Sequence, residues 1–596
     1  GSAPSSSSSA WSFPGAAVSS SYVMAIFFLF FFCSVGVEAL VDDVVIVGAG
    51  YGGLCAGALL STFGKRVRIF EAHDRVGGVA HAFKRRGYTL DVGPSLWSGL
   101  STPSTNPMRQ VLDATGAAND LEWVTYDGWG CHELATGTKF RMTTTDFHEV
   151  AEAFGAKEEW KAFLKSVEPV FRASAACPPM ALSLDPLGFA KEAALPYLLP
   201  ATLKASLAKR TFVPDLLTGA ASRLYEEEVQ DDDFDGKTTT TKKKRDFVVR
   251  WLDYLSFAIS GLPAEGTVGA AVAYSVGDLY LRPKSYLDYP VGGSAAVAEA
   301  LKASIESKGG RVEVDSPVAS IRGGQGVTLV KDGTFVEARD AVISNTDLWT
   351  TAKLAQDRDW ERQVQETFKP TPSFLHLWVG FDADGISPNL DGHHTVLVDG
   401  SFASDDVPID ARANMHIVCI SSLFDPSLAP EGKHLAHVYA AANEPRAFWD
   451  GLSPADYKRH KQDAIRPLWR ALEAVVADVR ERSCDLVVAG TPRSHEFWNR
   501  RHRGTYGPTT FAAGTTPVAK NLYTVGDSNF PGIGIPAVAA SACLVANKVA
   551  GRRAHADLLA TMRRDGTLRA GADWWDLAIR DRPPAVGGGG ISAGAS

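Results

Sequence analysis

The chain has 596 residues, more than one domain usually contains, so two or three domains are expected. Apolar residues make up 45% and charged residues 21%, as in an ordinary folded core. The net charge of −8 argues against a nucleic-acid partner, since binding phosphates requires a basic surface. The seven cysteines are scattered without a CxxC pair, so neither a metal site nor a redox pair is expected.

Residues 1–40 are predicted to be a signal or targeting segment. Residues 1–37 carry no charge, and the apolar stretch 23–37 would be about 22 Å long as a helix, shorter than the roughly 30 Å hydrocarbon core of a bilayer. Val37-Glu38-Ala39 resembles a small-residue cleavage site. A plastid-type leader and a membrane anchor are the alternatives.

A strand pattern at residues 44–47 runs into a glycine turn and then a helix pattern. Gly48 permits a tight turn, Gly50 lets the backbone approach a pyrophosphate, and Gly53 lets the helix pack close to the strand. Glu71 ends the second strand pattern, where a carboxylate accepts hydrogen bonds from ribose hydroxyls. This spacing predicts a dinucleotide-binding domain of the Rossmann type.

Residues 41–104 form the first part of that domain in our prediction, and three more glycines there are expected to lie against the cofactor: Gly77, Gly78 and Gly93. Residues 105–290 are predicted to be a mainly helical substrate domain that interrupts the nucleotide domain. Within it, residues 224–246 change from acidic to threonine-rich to basic. Such a segment buries little apolar surface, so a disordered surface loop is predicted, with a protein-docking loop as the alternative.

Residues 187–210 combine apolar helical turns with Lys and Arg. A stretch of this kind can lie in a bilayer interface with its basic residues at the headgroups. The alternative is an internal helical core of the substrate domain.

Residues 291–350 are predicted to return to the nucleotide domain, with Val318 and Asn345 as cofactor contacts, and residues 351–514 to form a mixed sheet beneath a substrate cavity. Residues 515–551 close the nucleotide domain, and 552–596 are predicted to be a C-terminal tail. Gly526 and Asp527 follow a strand pattern, and a helix begins near Ile535. Its positive end would favour negative charge on a reduced isoalloxazine. The two glycine segments together predict FAD and an α/β fold.

Two residues are candidates for acid–base chemistry. Asp278 is a carboxylate in an apolar helix pattern, and His376 lies on an apolar strand pattern. A capping or surface carboxylate and a hydrogen-bonded core histidine are the respective alternatives.

The sequence resembles the phytoene desaturase-like flavoproteins, and within them the carotenoid cis–trans isomerases of the prolycopene isomerase type. The resemblance covers about 43–551 and is carried by residues 87–93, 251–264, 287–293, 504–508 and 525–528. One departure is Ile533, which stands where the family commonly has Gln. The resemblance implies isomerisation of a long apolar polyene by reduced flavin without net redox change. A desaturase, a retinol saturase-like enzyme and a polyene carrier without turnover are the alternatives.

The expected partners are therefore a carotenoid substrate and a membrane lipid surface, and the sequence predicts no oligomeric state. For a photosynthetic source we expect a membrane-associated enzyme of the plastid. The apolar N-terminal segment leaves a secretory route through the endoplasmic reticulum as the alternative.

Overall fold

The computed structural model of the protein describes residues 41–93, 95–143, 147–210, 212–225, 247–281, 287–404 and 406–571. The helices and strands of these ranges belong to one unit that begins at Asp42. The predicted targeting segment 1–40 and residues 226–246 of the predicted insert lie outside the described residues. Leu224, which the sequence assigned to the insert, lies inside them and is buried.

Seven strands from widely separated parts of the chain form one sheet, called here the nucleotide sheet. Their spatial order is Arg311–Glu313, Val67–Phe70, Asp42–Val47, Phe335–Ser344, Gly326–Leu329 and Val318–Arg322, and Leu522–Thr524 also pairs with Phe335–Ser344. The pairings of Asp42–Val47 with both its neighbours are parallel. Val44 and Ile46 enter one apolar cluster and Val45 and Val47 another. This continuous apolar strand is thus covered on both faces, as parallel strands usually are.

Helices cover one face of the nucleotide sheet because small residues let them approach closely. The helix Tyr51–Thr62 packs against Ser294–Ser307, Ile535–Ala550 and Pro107–Thr115. A Cβ atom on Gly57 would lie 2.7 Å from Ile69 Cδ1 in the strand below. The helix and strand patterns read around residues 44–71, 291–345 and 522–550 are confirmed.

A second seven-stranded sheet is called here the mixed sheet. Its strands in spatial order are Cys484–Gly490, Ser373–Asp382, Lys433–Glu444, Met415–Ile420, His393–Leu397, Trp129–Glu133 and Lys139–Met142. Alternate residues point to opposite faces: Leu375 and Leu377 pack with Leu472 of the helix Arg466–Val475, whereas Trp378 packs with residues of the strand Tyr88–Asp91.

Two strands of the mixed sheet come from a region that the sequence predicted to be mainly helical. Trp129–Glu133 has five residues and Lys139–Met142 has four, which is too short for a clear period of two. The former pairs in parallel with His393–Leu397, far along the chain. The pairing, rather than the local pattern, makes these residues strands. A three-stranded sheet of Trp97–Ser98, Leu287–Pro290 and Trp123–Tyr126 lies in the same region.

The helical region packs around an aromatic cluster that includes Trp160, Trp251, Phe147 and Tyr280. Its helices are Phe147–Ala153, Lys157–Ser174, Pro186–Phe189, Ala190–Leu198, Leu199–Lys209, Val213–Thr218, Phe247–Ser260, Gly269–Val276 and Gly277–Leu281. No helix among the described residues is long and apolar enough to cross a membrane.

The remaining elements connect these sheets and helices. They are the strands Ala82–Arg85 and Tyr88–Asp91, the helices Leu348–Ala355, Arg358–Thr367, Pro454–Ala464, Pro492–Trp498 and Arg552–Arg564, and the short 3-10 turns Gly78–Ala80, Ala117–Asp120, Pro179–Ala181, Ala221–Leu224, Ala264–Gly266, Ser421–Leu423, Pro426–Leu428, Arg446–Trp449 and His502–Gly504. Part of the predicted tail 552–596 is thus helical, and residues 572–596 lie outside the described residues. The predicted α/β class, a Rossmann-type domain interrupted by a helical and mixed-sheet part, is confirmed.

Candidate active site

One cavity of about 1340 Å³ joins the glycine turn to the helical region. Its wall contains Gly48 and Gly50 of the turn and also Leu255 and Ala271 of the helices Phe247–Ser260 and Gly269–Val276. A long ligand can therefore contact both parts at once. Of the residues predicted to hold the cofactor, all except Gly53 lie in this wall.

The glycine turn is packed around the side chain of Asn345. A Cβ atom on Gly50 would lie 2.7 Å from Asn345 Nδ2, and one on Gly52 would lie 2.4 Å from Asn345 Oδ1. Gly50 therefore leaves room for the side chain of Asn345. This packing role is in addition to the predicted one, which is to let the backbone approach a pyrophosphate. The motif did not require Gly52, and its role became visible only with Asn345 in place.

Gly53 lies beneath the turn rather than in the cavity wall. A Cβ atom there would lie 2.1 Å from the carbonyl oxygen of Gly48, so only glycine lets the helix start so close to the strand. Gly48 itself has a φ of +95°, in the left-handed region that glycine adopts without strain. The N-cap Gly50 has no side chain to cap the helix Tyr51–Thr62, so its first N–H groups are available to an anionic ligand.

Glu71 is held beside this turn by two backbone bonds. Its Oε2 accepts a hydrogen bond from Ala49 N–H at 2.7 Å and its Oε1 accepts one from His73 N–H at 2.8 Å. Burial raises the pKa of Glu71, and the two N–H groups partly oppose that rise. The carboxylate is thereby fixed in the cavity wall, where it can accept bonds from the ribose hydroxyls of a dinucleotide.

Three further glycines bring the segment after Glu71 against the turn. A Cβ atom on Gly78 would lie 2.9 Å from Gly50 Cα, and one on Gly93 would lie 2.5 Å from Ala80 Cα. Gly77 donates its N–H to Ala49 O at 2.8 Å. These close approaches extend the wall of the cavity with backbone.

The C-terminal segment supplies the part of the wall next to the glycine turn, where a Cβ atom on Gly52 would lie 3.0 Å from Gly526 Cα. Gly526 donates its N–H to Ser541 Oγ at 2.9 Å, and the helix Ile535–Ala550 begins at the wall residue Ile535. Asp527 forms an ion pair with Arg501, whose Nη1 lies 2.9 Å from Asp527 Oδ2. Nothing in the sequence around Arg501 marks it as a site residue, and only the fold brings it to Asp527.

Asp278 lies in the cavity wall and is buried. Its Oδ2 accepts a hydrogen bond from Ser98 Oγ at 2.5 Å. The short segment Gly277–Leu281 that carries it is a π-helix, a widened turn that is frequent at functional sites. The structure thus places this acid–base candidate on the surface that a ligand would contact.

His376 lies behind the cavity wall rather than in it. Its Nδ1 is 2.9 Å from His437 Nε2 and its Nε2 is 2.7 Å from His495 Nε2. Burial and the two neighbouring imidazoles hold the pKa of His376 well below its usual value. Burial also lowers the pKa of His437 and of His495 to about 3. The row is therefore neutral, and it reaches the cavity wall only through His495, which the sequence did not single out.

The rest of the wall is largely apolar and aromatic. Phe374, Tyr439 and Tyr506 border it on the mixed-sheet side, and Tyr439 also bonds Ser95 through its hydroxyl at 3.0 Å. On the helical side the wall includes Phe189, Leu198, Leu217, Leu255, Leu262, Tyr274 and Leu279. Such a lining fits a long apolar ligand.

The helices 186–209 also carry apolar residues on their outer surface, called here the leucine stripe. Its members repeat every fourth residue and are between 56% and 72% exposed: Leu195, Leu199, Leu203 and Leu207. Phe189, Leu198 and Thr202 of the same helices line the cavity. One side of this segment thus borders the cavity, and another presents leucine to solvent.

Comparison with known proteins identifies the family. The model of the flavin-containing amine oxidoreductases matches residues 51–550. The chain belongs to that family. It is a flavoenzyme of the oxidoreductase type and its cofactor is FAD, as the sequence predicted. The glycine turn, the fixed carboxylate of Glu71 and the wall at Gly526 are the parts of this chain that fit the dinucleotide.

Several named relatives match most of the chain. Chloroplastic prolycopene isomerase of Arabidopsis thaliana is 28% identical over 86% of this chain and 83% of its own length. Phytoene desaturase of Fusarium fujikuroi is 26% identical over 85% and 89%, and all-trans-retinol 13,14-reductase of Danio rerio is 25% identical over 81% and 82%. The resemblance to the phytoene desaturase-like and prolycopene isomerase proteins is confirmed.

Solved structures show the same fold at low identity. An oxidoreductase from Methanosarcina mazei superposes with a TM-score of 0.52 at 19% identity, covering 84% of this chain and 98% of its own. At this identity the likeness supports the fold and does not separate one reaction from another.

Proposed function

We propose that the protein is an FAD-dependent carotenoid cis–trans isomerase that acts on a long, apolar, prolycopene-like polyene without net redox change. The observation that carries the proposal is the cavity that joins the FAD residues to an apolar wall in which the carboxylate of Asp278 is buried. The similarity to chloroplastic prolycopene isomerases supports the same substrate class. Held by the glycine turn, Glu71 and the wall at Gly526, reduced FAD would supply electron density to the conjugated chain and would not be consumed.

Asp278 is the acid–base residue of the proposal. A proton given to one carbon of a cis double bond breaks its π bond and leaves a cation spread along the polyene. The single bond that remains can rotate, and return of the proton to the carboxylate restores the double bond as trans. Ser98 orients the carboxylate by donating its hydroxyl to Oδ2. His376 is a second candidate only as a positioning residue, since it reaches the cavity through His495.

Product analysis tests the reaction directly. The holoenzyme is reduced once without oxygen and given a poly-cis carotenoid. We expect many turnovers per flavin, a change of isomer and no change of product mass, and an oxidised enzyme that is nearly inactive. A product two daltons lighter than the substrate would indicate a desaturase, and one two daltons heavier would indicate a saturase. In either case each product molecule would exchange one two-electron equivalent with the flavin, and the isomerase proposal would be wrong. The desaturase and the saturase are the alternatives that the fungal and zebrafish relatives represent.

The proposal includes delivery of the polyene from a membrane surface. A carotenoid is almost insoluble in water, and the leucine stripe lies on helices whose other residues border the cavity. Lys191 lies on the same segment with its side chain 80% exposed, so a cation accompanies the leucines. Leucine burial in the interface together with a lysine at the headgroups would hold the enzyme at the bilayer.

Liposome flotation of protein lacking residues 1–40 tests the membrane step. The intact stripe should float with vesicles, and replacement of its four leucines by serine should leave the protein in the soluble fraction. Phe497→Ser is the matched control, because Phe497 is as exposed as Leu207, at 72%, but lies on another helix. Equal flotation of the stripe variant and the control contradicts the membrane step and leaves the chemistry untouched.

The plastid is the proposed location. The prolycopene isomerases of Daucus carota and Arabidopsis thaliana are named chloroplastic, which favours a plastid leader over the secretory alternative for residues 1–40. A fluorescent protein fused to residues 1–40 should enter plastids of a photosynthetic cell. Accumulation in the endoplasmic reticulum would contradict this location.

A further inference from the structure

Arg501 is a buried cation in the wall of the FAD cavity. Its side chain keeps only 11% of its surface exposed, and that of its partner Asp527 keeps 14%. Its Nε donates to Thr505 O at 2.7 Å and its Nη2 donates to Tyr506 O at 3.2 Å. Together with the 2.9 Å contact to Asp527, these bonds fix the whole guanidinium group.

The backbone around Arg501 is also held in place. The N–H of the next residue, His502, donates to Asp347 Oδ2 at 2.8 Å, and Asp347 is itself buried in the cavity wall. Arg500, which also lies in the cavity wall, has a left-handed backbone with a φ of +53°. Non-glycine residues keep this conformation only where the surroundings impose it, often at ligand sites.

The charges at this wall require a cation. Asp527 and Asp347 are both wall carboxylates, and FAD brings a pyrophosphate that is also anionic. Like charges at low exposure repel strongly, because the interior screens them less than water does. Burial by itself lowers the pKa of Arg501, but the carboxylates of Asp527 and Asp347 outweigh burial and raise that pKa above its usual value. The guanidinium therefore stays charged at physiological pH.

We propose that Arg501 is a positioning residue for FAD, which neutralises Asp527 so that an anionic dinucleotide can bind beside that carboxylate. With its charge balanced by Arg501, Asp527 can accept hydrogen bonds from the hydroxyl groups of FAD. The proposal concerns FAD binding alone, so it holds or fails independently of the reaction on the polyene.

A charge-removal series tests the proposal. The readout is the Kd of FAD, measured by diluting the holoenzyme and following the fluorescence of released flavin. Arg501→Met leaves the carboxylate unbalanced and should raise the Kd about 100-fold. The double variant Arg501→Met with Asp527→Asn removes both charges. Its Kd for FAD should be at least about tenfold lower than that of Arg501→Met alone. A double variant that binds no better than Arg501→Met overturns the proposal.

Two single variants separate charge from shape, and they decide the outcome even if Arg501→Met fails to fold. Arg501→Lys keeps the charge and loses donors, whereas Arg501→Gln keeps donors and loses the charge. We expect Arg501→Lys to bind FAD nearly as the parent does and Arg501→Gln to bind FAD as weakly as Arg501→Met. The opposite order, or equal losses, overturns the proposal. Arg503→Met is the matched control, because Arg503 pairs with the half-exposed Asp450 and should leave the Kd unchanged.

Discussion

At the nucleotide sheet the cavity is bounded mainly by backbone, whereas at the mixed sheet and the helices it is bounded by side chains. The first wall consists of glycines whose added Cβ atoms would strike neighbouring atoms, together with one carboxylate held by two N–H groups. The second wall brings together Asp278, Phe374 and His495 from distant elements. Backbone walls tolerate almost no substitution, whereas side-chain walls can change their chemistry and keep their fold.

Gly53→Val should produce the largest effect, because Gly53 lies directly beneath the glycine turn that forms the backbone wall. A Cβ atom there would lie 2.1 Å from Gly48 O, so the helix must move away from the strand. We expect destabilisation of more than about 4 kcal/mol and complete loss of flavin absorbance. Gly64→Ala, at a site with φ of +80° and no atom within 4 Å, should cost only about 1–2 kcal/mol and retain flavin. Equal losses in the two variants would show that close packing is not the decisive feature of the turn.

Asp278→Asn should change the chemistry of the side-chain wall without changing its structure. The amide cannot relay a proton, so kcat should fall about 10²–10⁴-fold while flavin content and Tm stay near those of the parent. Ser98→Ala removes only the hydroxyl that donates to Asp278 and should cause a smaller fall. An Asn variant with unchanged kcat would remove Asp278 from the proposed reaction.

Glu71→Gln should give a moderate effect confined to the nucleotide end. Both Glu71 oxygens accept backbone N–H groups, so the amide nitrogen of Gln would face a donor. The mismatch should weaken FAD binding by about 1–3 kcal/mol, which titration of FAD release can measure. kcat of the fully flavin-loaded variant should be unchanged. A fall in kcat at saturating FAD would mean that the two ends of the cavity are not separable.

The buried histidine row should make stability depend on pH. The folded-state pKa of His376 lies well below the usual 6.5, so between those values only the unfolded chain takes up the proton. Stability from this residue is complete above pH 6.5 and falls as the pH drops, by up to about 1.4 kcal/mol per pH unit. His376→Asn should flatten the slope of Tm between pH 7 and 5, whereas His148→Asn, on an exposed side chain, should leave it unchanged. A slope that His376→Asn does not alter would mean that the row is protonated in the fold.

Local rules were sufficient for the backbone wall. The spacing of Gly48, Gly50 and Gly53 and the position of Glu71 are set by one turn and its two flanking strands. A single stretch of chain was therefore enough to predict this dinucleotide-binding turn. The same holds for Gly526 and the helix at Ile535, where strand, turn and helix follow one another. Asp278 was selected because a carboxylate is unusual in an apolar helix pattern, and the structure places it in the cavity wall.

Tertiary structure alone decided the rest. Arg501 and His495 come from a polar stretch with no periodicity, and they became site residues only when the chain returned to Asp527 and to His376. The strands Trp129–Glu133 and Lys139–Met142 exist because a distant partner offers hydrogen bonds. Sequence determines what neighbours along the chain can do, whereas burial, ion pairing and strand pairing between distant segments arise only when the whole chain has folded.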